Sequence, residues 1–120
     1  MKVALTSRGD SLDVLLDSRF GRAANFLLWD AATGAVEVLA NTQSLNAAQG
    51  AGIQAAMHVV ESGAEVVITG HCGPKAFRVL KEAGVKVYLT KALDGHEAIR
   101  LFQAGELKEA DAADVEGHWA

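Results

Sequence analysis

The chain has 120 residues, half of them apolar, which is enough for one domain built around a single hydrophobic core. Its net charge of −4 comes entirely from residues 106–120, because residues 1–105 contain ten acidic and ten basic side chains. The balanced body has no basic stripe for nucleic acid, and one cysteine excludes both an internal disulfide and a thiolate-rich metal site.

The first part of the chain has the pattern of β-structure. Residues 2–6 are rich in β-forming side chains, and a polar loop follows after too few apolar positions for a signal peptide or a membrane span. We therefore expect a cytoplasmic, soluble protein. Residues 12–16 form an apolar insert that fits either a strand extension or a short turn. Residues 25–30 and 35–39 should pair antiparallel, because Gly34 between them supplies the positive φ of a short hairpin loop.

From Ile53 onward the apolar residues recur every three or four positions, which predicts a helix that ends at Gly63. Residues 65–69 have the apolar character of a buried strand. The next helix begins at Pro74, because proline suits the first helical position, where its missing N–H would have no partner.

Residues 85–90 form the last predicted strand. Asp94 with Glu97 three residues later has the form of a capping box, so we expect a final helix that ends at Gly105.

The order β-β-β-α-β-α-β-α predicts an α/β domain with one mixed five-stranded sheet flanked by helices, for which we name the ribonuclease-H-like architecture. The domain should cover residues 1–105, and residues 106–120 should form an acidic tail. Loops that follow parallel strands open at the same edge of a sheet. The predicted pocket therefore combines residues 7–22, 49–53 and 70–75.

The start of the helix at Pro74 has the features of an anion site. Helix N-termini carry partial positive charge and unpaired N–H groups. His71, Cys72 and Lys75 lie at the N-terminus of this helix. Gly73, just before this helix, can adopt backbone conformations that are closed to other residues. We interpret this segment as the floor of a pocket for a small anion or a metal cluster.

Four sequence blocks resemble the dinitrogenase iron-molybdenum cofactor-binding family. They are DSRFGR at residues 17–22, GAGIQAA at 50–56, VITG and GPKAF within 67–77, and AGVKV at 83–87. The resemblance covers residues 1–105 and implies a ribonuclease-H-like fold that holds preformed metal–sulfur clusters during assembly or storage.

Within this family, the Cys72 loop and the terminal sequence EGHW at residues 116–119 are most similar to the orange proteins, small carriers of a molybdenum–copper sulfide cluster. One position departs from the family pattern, because Gln49 stands where the family often has glycine. This departure leaves an iron-molybdenum cofactor or its precursor as the alternative cargo.

A thiomolybdate cluster brings its own sulfide ligands and a negative charge, so its carrier needs only cations, N–H groups and an apolar wall. We assign the charge to Arg19 and Arg22, the N–H groups to residues 50–52, and the wall to Phe20 and Ile53. Each also has a plainer interpretation as a turn, core or ion-pair residue. The predicted cluster-binding residues are Arg19, Phe20, Arg22, Gly50, Ala51, Gly52, Ile53, His71, Cys72, Gly73 and Lys75.

Cys72 and His71 are the candidates for direct metal contact. A helix N-terminus favours the thiolate form of a preceding cysteine, and a thiolate binds a soft metal such as Cu(I). The alternative for Cys72 is a small core residue.

Two other functions remain open at this point. Cys72 and Arg78 have the Cys-x5-Arg spacing of cysteine-dependent phosphatases, although a helix that starts at Pro74 leaves little open loop between them. The acidic tail with His118 and Trp119 fits an interaction protein that binds a partner protein. We predict a non-catalytic, monomeric carrier of a metal–sulfur cluster, with no nucleic-acid or membrane partner.

Overall fold

The computed structural model describes residues 1–41 and 51–111, so Gly50 and the end of the acidic tail lie outside the described residues. In the described part, six strands and three helices follow one another along the chain. They are β1 (Lys2–Ser7), β2 (Asn25–Asp30), β3 (Val36–Ala40), α1 (Ala51–Glu61), β4 (Val66–Thr69), α2 (Pro74–Glu82), β5 (Lys86–Leu89), α3 (Gly95–Gln103) and β6 (Lys108–Glu109).

The strands form one mixed sheet in the order β3-β2-β1-β4-β5-β6. Strands β1, β4 and β5 are parallel, with Leu5 opposite Ile68 and Ile68 opposite Tyr88. Strands β2 and β3 form the predicted antiparallel hairpin, in which Gly34 has a φ of 80° and donates its N–H to the Asp30 carbonyl at 2.7 Å. The α/β class, the mixed sheet and the hairpin are therefore confirmed.

The sheet has six strands where the sequence predicts five. The additional strand, β6, pairs antiparallel with β5, and Ala110 just after it donates its N–H to the Val87 carbonyl at 2.8 Å. Leu107 and Ala110 also pack against the two core clusters. A two-residue strand inside a charged segment has too few side chains to produce a period-2 pattern, so the sequence does not reveal it.

The sheet separates two hydrophobic clusters because successive side chains of a strand point to opposite faces. Ala4 and Val67 face helices α1 and α2, whereas Leu5 and Ile68 face helix α3. Both faces of the central strands are buried, which explains the uninterrupted apolar runs at residues 3–5 of β1 and 66–68 of β4.

The last helix is capped nearly as predicted. The Asp94 carboxylate accepts the Glu97 backbone N–H at 2.9 Å, and the Glu97 carboxylate accepts the N–H of Leu93 at 3.2 Å, one residue earlier than in a standard capping box. None of the helices in the described ranges is long and apolar enough to cross a lipid bilayer.

The apolar insert at residues 12–16, for which the sequence leaves two interpretations open, contains both a turn and a short strand extension. The chain turns at Leu12 and Asp13 and then returns, so that Leu16 bridges Ser7 and Leu15 bridges Asp94. Residues 8–16 are therefore an excursion that leaves β1 and comes back to the same place beside it.

Candidate functional site

The carboxyl ends of β1 and β4 meet through buried hydroxyl groups. The Thr6 Oγ1 lies 3.0 Å from the Thr69 Oγ1 of the neighbouring strand and donates to the Asp17 carbonyl at 2.6 Å. The Asp17 N–H in turn donates to the Thr6 carbonyl at 3.1 Å. These bonds bring residue 17 directly onto the ends of two parallel strands, the edge at which ligands usually bind in such sheets.

The loop after this point, residues 17–24, is held in place by a buried side chain and by hydrogen bonds to other segments. Phe20 donates its N–H to the His71 carbonyl at 3.1 Å, and its side chain is only 1% exposed, with its ring centroid 5.2 Å from that of Phe26. The buried Asn41 amide donates to the Ala23 carbonyl at 2.8 Å. Phe20 therefore supports the loop from the core, and its predicted role as part of the apolar wall of the site stays a prediction.

The loop crosses the end of β4 at a glycine. A Cβ atom on Gly70 would lie 2.8 Å from the Ser18 carbonyl oxygen and 2.9 Å from the Ser18 Cα. Backbone atoms at this distance cannot give way without moving the chain. Gly70 is therefore required by the close approach of the two segments, and Arg19 next to Ser18 forms a parallel bridge with His71.

Helix α2 begins at Pro74, as predicted. Gly73 has a φ of −70° and a ψ of 168°, an extended conformation open to any residue, so it does not use the wider conformational range that glycine allows. A Cβ atom on Gly73 would have no neighbour within 4 Å among the described residues. Among the described residues nothing fills the space beside Gly73, and the N–H groups of Lys75 and Ala76 have no partner inside the helix.

The beginning of α1 lies beside the beginning of α2. A Cβ atom on Gly52 would be 3.5 Å from the Ala76 Cβ and 4.0 Å from the Ala76 backbone nitrogen. Ile53 follows in the first turn of α1 and is half-buried. Two helix N-termini therefore lie close together, and their partial positive charges add up at this place.

Three cationic side chains belong to the segments that converge at this edge. The Arg19 side chain is 59% exposed, and its Nε lies 3.5 Å from the Asp17 Oδ1, which also accepts the Arg19 backbone N–H at 2.9 Å. Arg22 and Lys75 are exposed. Asp17 is 5% exposed, and Arg19 partly balances its carboxylate. The charges of the described residues here favour an anionic ligand.

Cys72 lies in the core between the sheet and helices α1 and α2, where it is 1% exposed. Its burial favours the alternative interpretation as a small core residue over direct contact with a metal. Arg78, by contrast, is an exposed residue in the middle of α2. A buried thiol and an arginine on the helix surface cannot form a phosphatase loop, so the geometry does not support that alternative.

The donor set also argues against a metal ion bound by side chains. Among residues 1–41 and 51–111, no group of three or more His, Cys, Asp or Glu side chains could hold a metal ion. The cations and helix N–H groups described above suit a ligand that brings its own metal ligands, such as a cluster with sulfide ligands.

A cleft of about 510 Å³ opens at the same edge, and its lining shares residues 16–18 and 70–71 with the predicted pocket. Its far wall is residues 89–92, at the end of β5, which the sequence analysis does not include. The sequence does contain a signal for this wall, because residues 85–90 are predicted as a strand and the loop after a parallel strand opens at this edge.

Comparison with known proteins agrees with this arrangement. Residues 1–105 match the family described as dinitrogenase iron-molybdenum cofactor. An uncharacterized protein of Methanocaldococcus jannaschii is 30% identical to this chain, and the match covers 91% of each.

Among solved structures, the apo form of the orange protein from Desulfovibrio gigas is 43% identical and superposes with a TM-score of 0.92, covering 95% of this chain and 96% of its own. A putative NifB protein from Thermotoga is 38% identical, with a TM-score of 0.84 and coverage of 97% and 98%.

Proposed function

Because the chain belongs to the dinitrogenase iron-molybdenum cofactor family, we propose that it binds a preformed metal–sulfur cluster and stores or delivers it without catalysing a reaction. The observation that carries this proposal is the convergence of loop 17–22, the start of α1 and the segment 70–76 at one edge of the sheet. These are the stretches that carry three of the four family blocks.

We propose further that the cargo is a molybdenum–copper sulfide cluster. The similarity to the orange protein of Desulfovibrio gigas supports this choice over an iron-molybdenum cofactor or its precursor, which remains the alternative cargo. A sulfide-bridged cluster needs no thiolate from the protein, and the single cysteine is buried in the core.

In this proposal the cluster is held by electrostatic attraction and hydrogen bonds. Arg19, Arg22 and Lys75 supply positive charge, and guanidinium groups contact several acceptors at once. The N–H groups at the starts of α1 and α2 donate to sulfides, as helix N-termini do for other anions. Gly73 leaves the backbone accessible to a bulky ligand, because its Cβ position has no neighbour within 4 Å among the described residues. The proposal assigns no metal bond to the Cys72 thiol.

We also propose the ribonuclease-H-like architecture for the domain. The order of the first five strands, 3-2-1-4-5, with only β2 running against the others, supports it. The cytoplasmic location, the monomeric state and a partner bound through the acidic tail stay predictions from the sequence.

The test is metal analysis together with a visible spectrum, on protein purified without air, before and after the addition of tetrathiomolybdate and copper. Molybdenum and copper bound in a fixed ratio, with visible bands that survive gel filtration, support the proposal. Protein that stays colourless with both metals but binds an iron-molybdenum cluster overturns the choice of cargo. Protein that binds neither cluster overturns the carrier function.

A further inference from the structure

The cleft beside the proposed site has the size and lining of a ligand pocket. Its volume of about 510 Å³ lies within the range of small-molecule sites, about 300–1,000 Å³. The lining combines apolar side chains, Leu16, Leu89 and Ala92, with polar ones, Ser18 and Thr90. Such a mixture suits a ligand with a soft, weakly hydrated surface and a few hydrogen-bond acceptors.

The two walls of this cleft are tied to each other by the backbone. The Leu16 N–H donates to the Leu93 carbonyl at 2.9 Å, which joins the wall after β1 to the wall after β5. Thr90 donates its N–H to the Thr69 carbonyl at 2.9 Å, and its hydroxyl accepts the Ala92 N–H at 3.1 Å. The loop that carries Lys91 is therefore held in a defined turn.

Among the described residues that line the cleft, Lys91 is the one lysine and none is an arginine. Lys91 is exposed. The acidic residue of the lining, Asp17, already interacts with Arg19 through both a backbone N–H and the guanidinium. A negatively charged ligand would thus meet an ammonium group on one wall and a partly balanced carboxylate on the other.

We propose that this cleft is part of the cargo site and that Lys91 is a further cation of it, beyond Arg19, Arg22 and Lys75. The inference rests on the proposed function, since it takes the ligand to be an anionic, sulfide-rich cluster. Gly70 and His71 join the cleft to the helix starts, so a cluster that extends across this segment contacts both. The loop after β5 then forms the third wall of the site.

The test compares Lys91→Gln with Lys86→Gln, because both lysines are exposed and flank the same strand at its opposite ends. Each variant and the unchanged protein are titrated with tetrathiomolybdate and copper at low ionic strength. Lys91→Gln should lower the affinity about threefold to fivefold, as expected for one solvent-exposed charge pair, and Lys86→Gln should not change it. The difference should shrink in about 1 M salt, where the Debye length is about 3 Å.

Amide chemical shifts give a second measurement that does not depend on the size of the charge effect. Addition of the cargo should move the signals of Thr90 and Lys91 and leave those of Lys86 and Val87 in place. If the unchanged protein loads and neither the affinity nor these signals respond at Lys91, the cleft is not used and the inference is wrong, while the carrier function stands. If the unchanged protein takes up no cluster, the carrier function itself fails and the inference falls with it.

Discussion

Gly70 and Gly73 lie close together at the site, yet the chain uses them differently. Gly70 lies against the Ser18 backbone, with 2.8 Å between its Cβ position and the carbonyl oxygen, whereas the Cβ position of Gly73 faces open space in the described structure. The fold therefore requires a glycine at position 70. It does not require one at position 73, where the glycine can instead serve ligand binding.

Gly70→Ala and Gly73→Ala should separate these two roles. We expect Gly70→Ala to lower the free energy of unfolding by about 1–3 kcal/mol, because the methyl group forces the Ser18 backbone away. Gly73→Ala should leave thermal stability almost unchanged and weaken cluster binding, because the methyl group occupies space in front of the α2 N–H groups. Thermal denaturation and cluster titration of both variants test this. Equal cluster binding by Gly73→Ala and the unchanged protein would contradict a ligand at this helix start.

Arg19 and Arg22 are expected to contribute charge to binding and little to stability. Arg19→Ala and Arg22→Ala should each weaken cluster retention on gel filtration, while the loss of an exposed ion pair costs at most about 1 kcal/mol of stability. Arg100→Ala is the matched control, since Arg100 is an exposed arginine on α3.

The opposite pattern would refute the electrostatic mechanism. If Cys72→Ala abolished cluster binding while both arginine variants kept it, the cluster would be held by a thiolate bond. The core around Cys72 would then have to open to admit the metal.

Among the secondary-structure elements, α3 offers a direct test of its cap. Asp94→Ala removes the carboxylate that accepts the Glu97 N–H at 2.9 Å and should cost about 1 kcal/mol of stability. Asp94→Asn keeps an acceptor at the same position and should remain close to the unchanged protein. Chemical denaturation measures both, and equal losses in the two variants would contradict the capping role.

The elements with a strong local pattern could be predicted from the sequence, and those without one could not. The hairpin has a turn residue, Gly34, α2 begins with Pro74, and α3 has the cap residue Asp94. Each of these residues acts through contacts with residues close to it in the sequence. Strand β6 depends on pairing with β5, and the 8–16 excursion depends on contacts with α3. Such long-range contacts leave no period in the sequence.

At the scale of the whole molecule, the sixth strand connects the predicted tail to the domain. A chain ending at residue 105 loses β6 together with the packing of Leu107 and Ala110, so it should be less stable by about 2 kcal/mol. A chain ending at residue 111 keeps these contacts and should match the full-length protein. Thermal denaturation of the two truncated chains tests this, and equal stability would mean that β6 adds nothing to the fold.

The location of the candidate site could be predicted because parallel strands bring their following loops to one edge. The loops after β1 and β4 were identified in this way, and the loop after β5 was missed although the same argument applies to it. Burial of Phe20 and Cys72 could not be predicted, because an apolar or thiol side chain beside a pocket looks the same in sequence whether it faces the ligand or the core.

The anchored loop at residues 17–24 has a consequence for the timing of cargo transfer. Phe20 fixes the loop in the core, and Asp17 and Asn41 fix its two ends, so little of this loop has to be ordered when a ligand arrives. Loading should then proceed in one second-order phase, at a rate set by diffusion and charge attraction. A carrier with a preorganised loop of this kind would regulate delivery through the rate of cluster dissociation, and a recipient protein would act by accelerating that step.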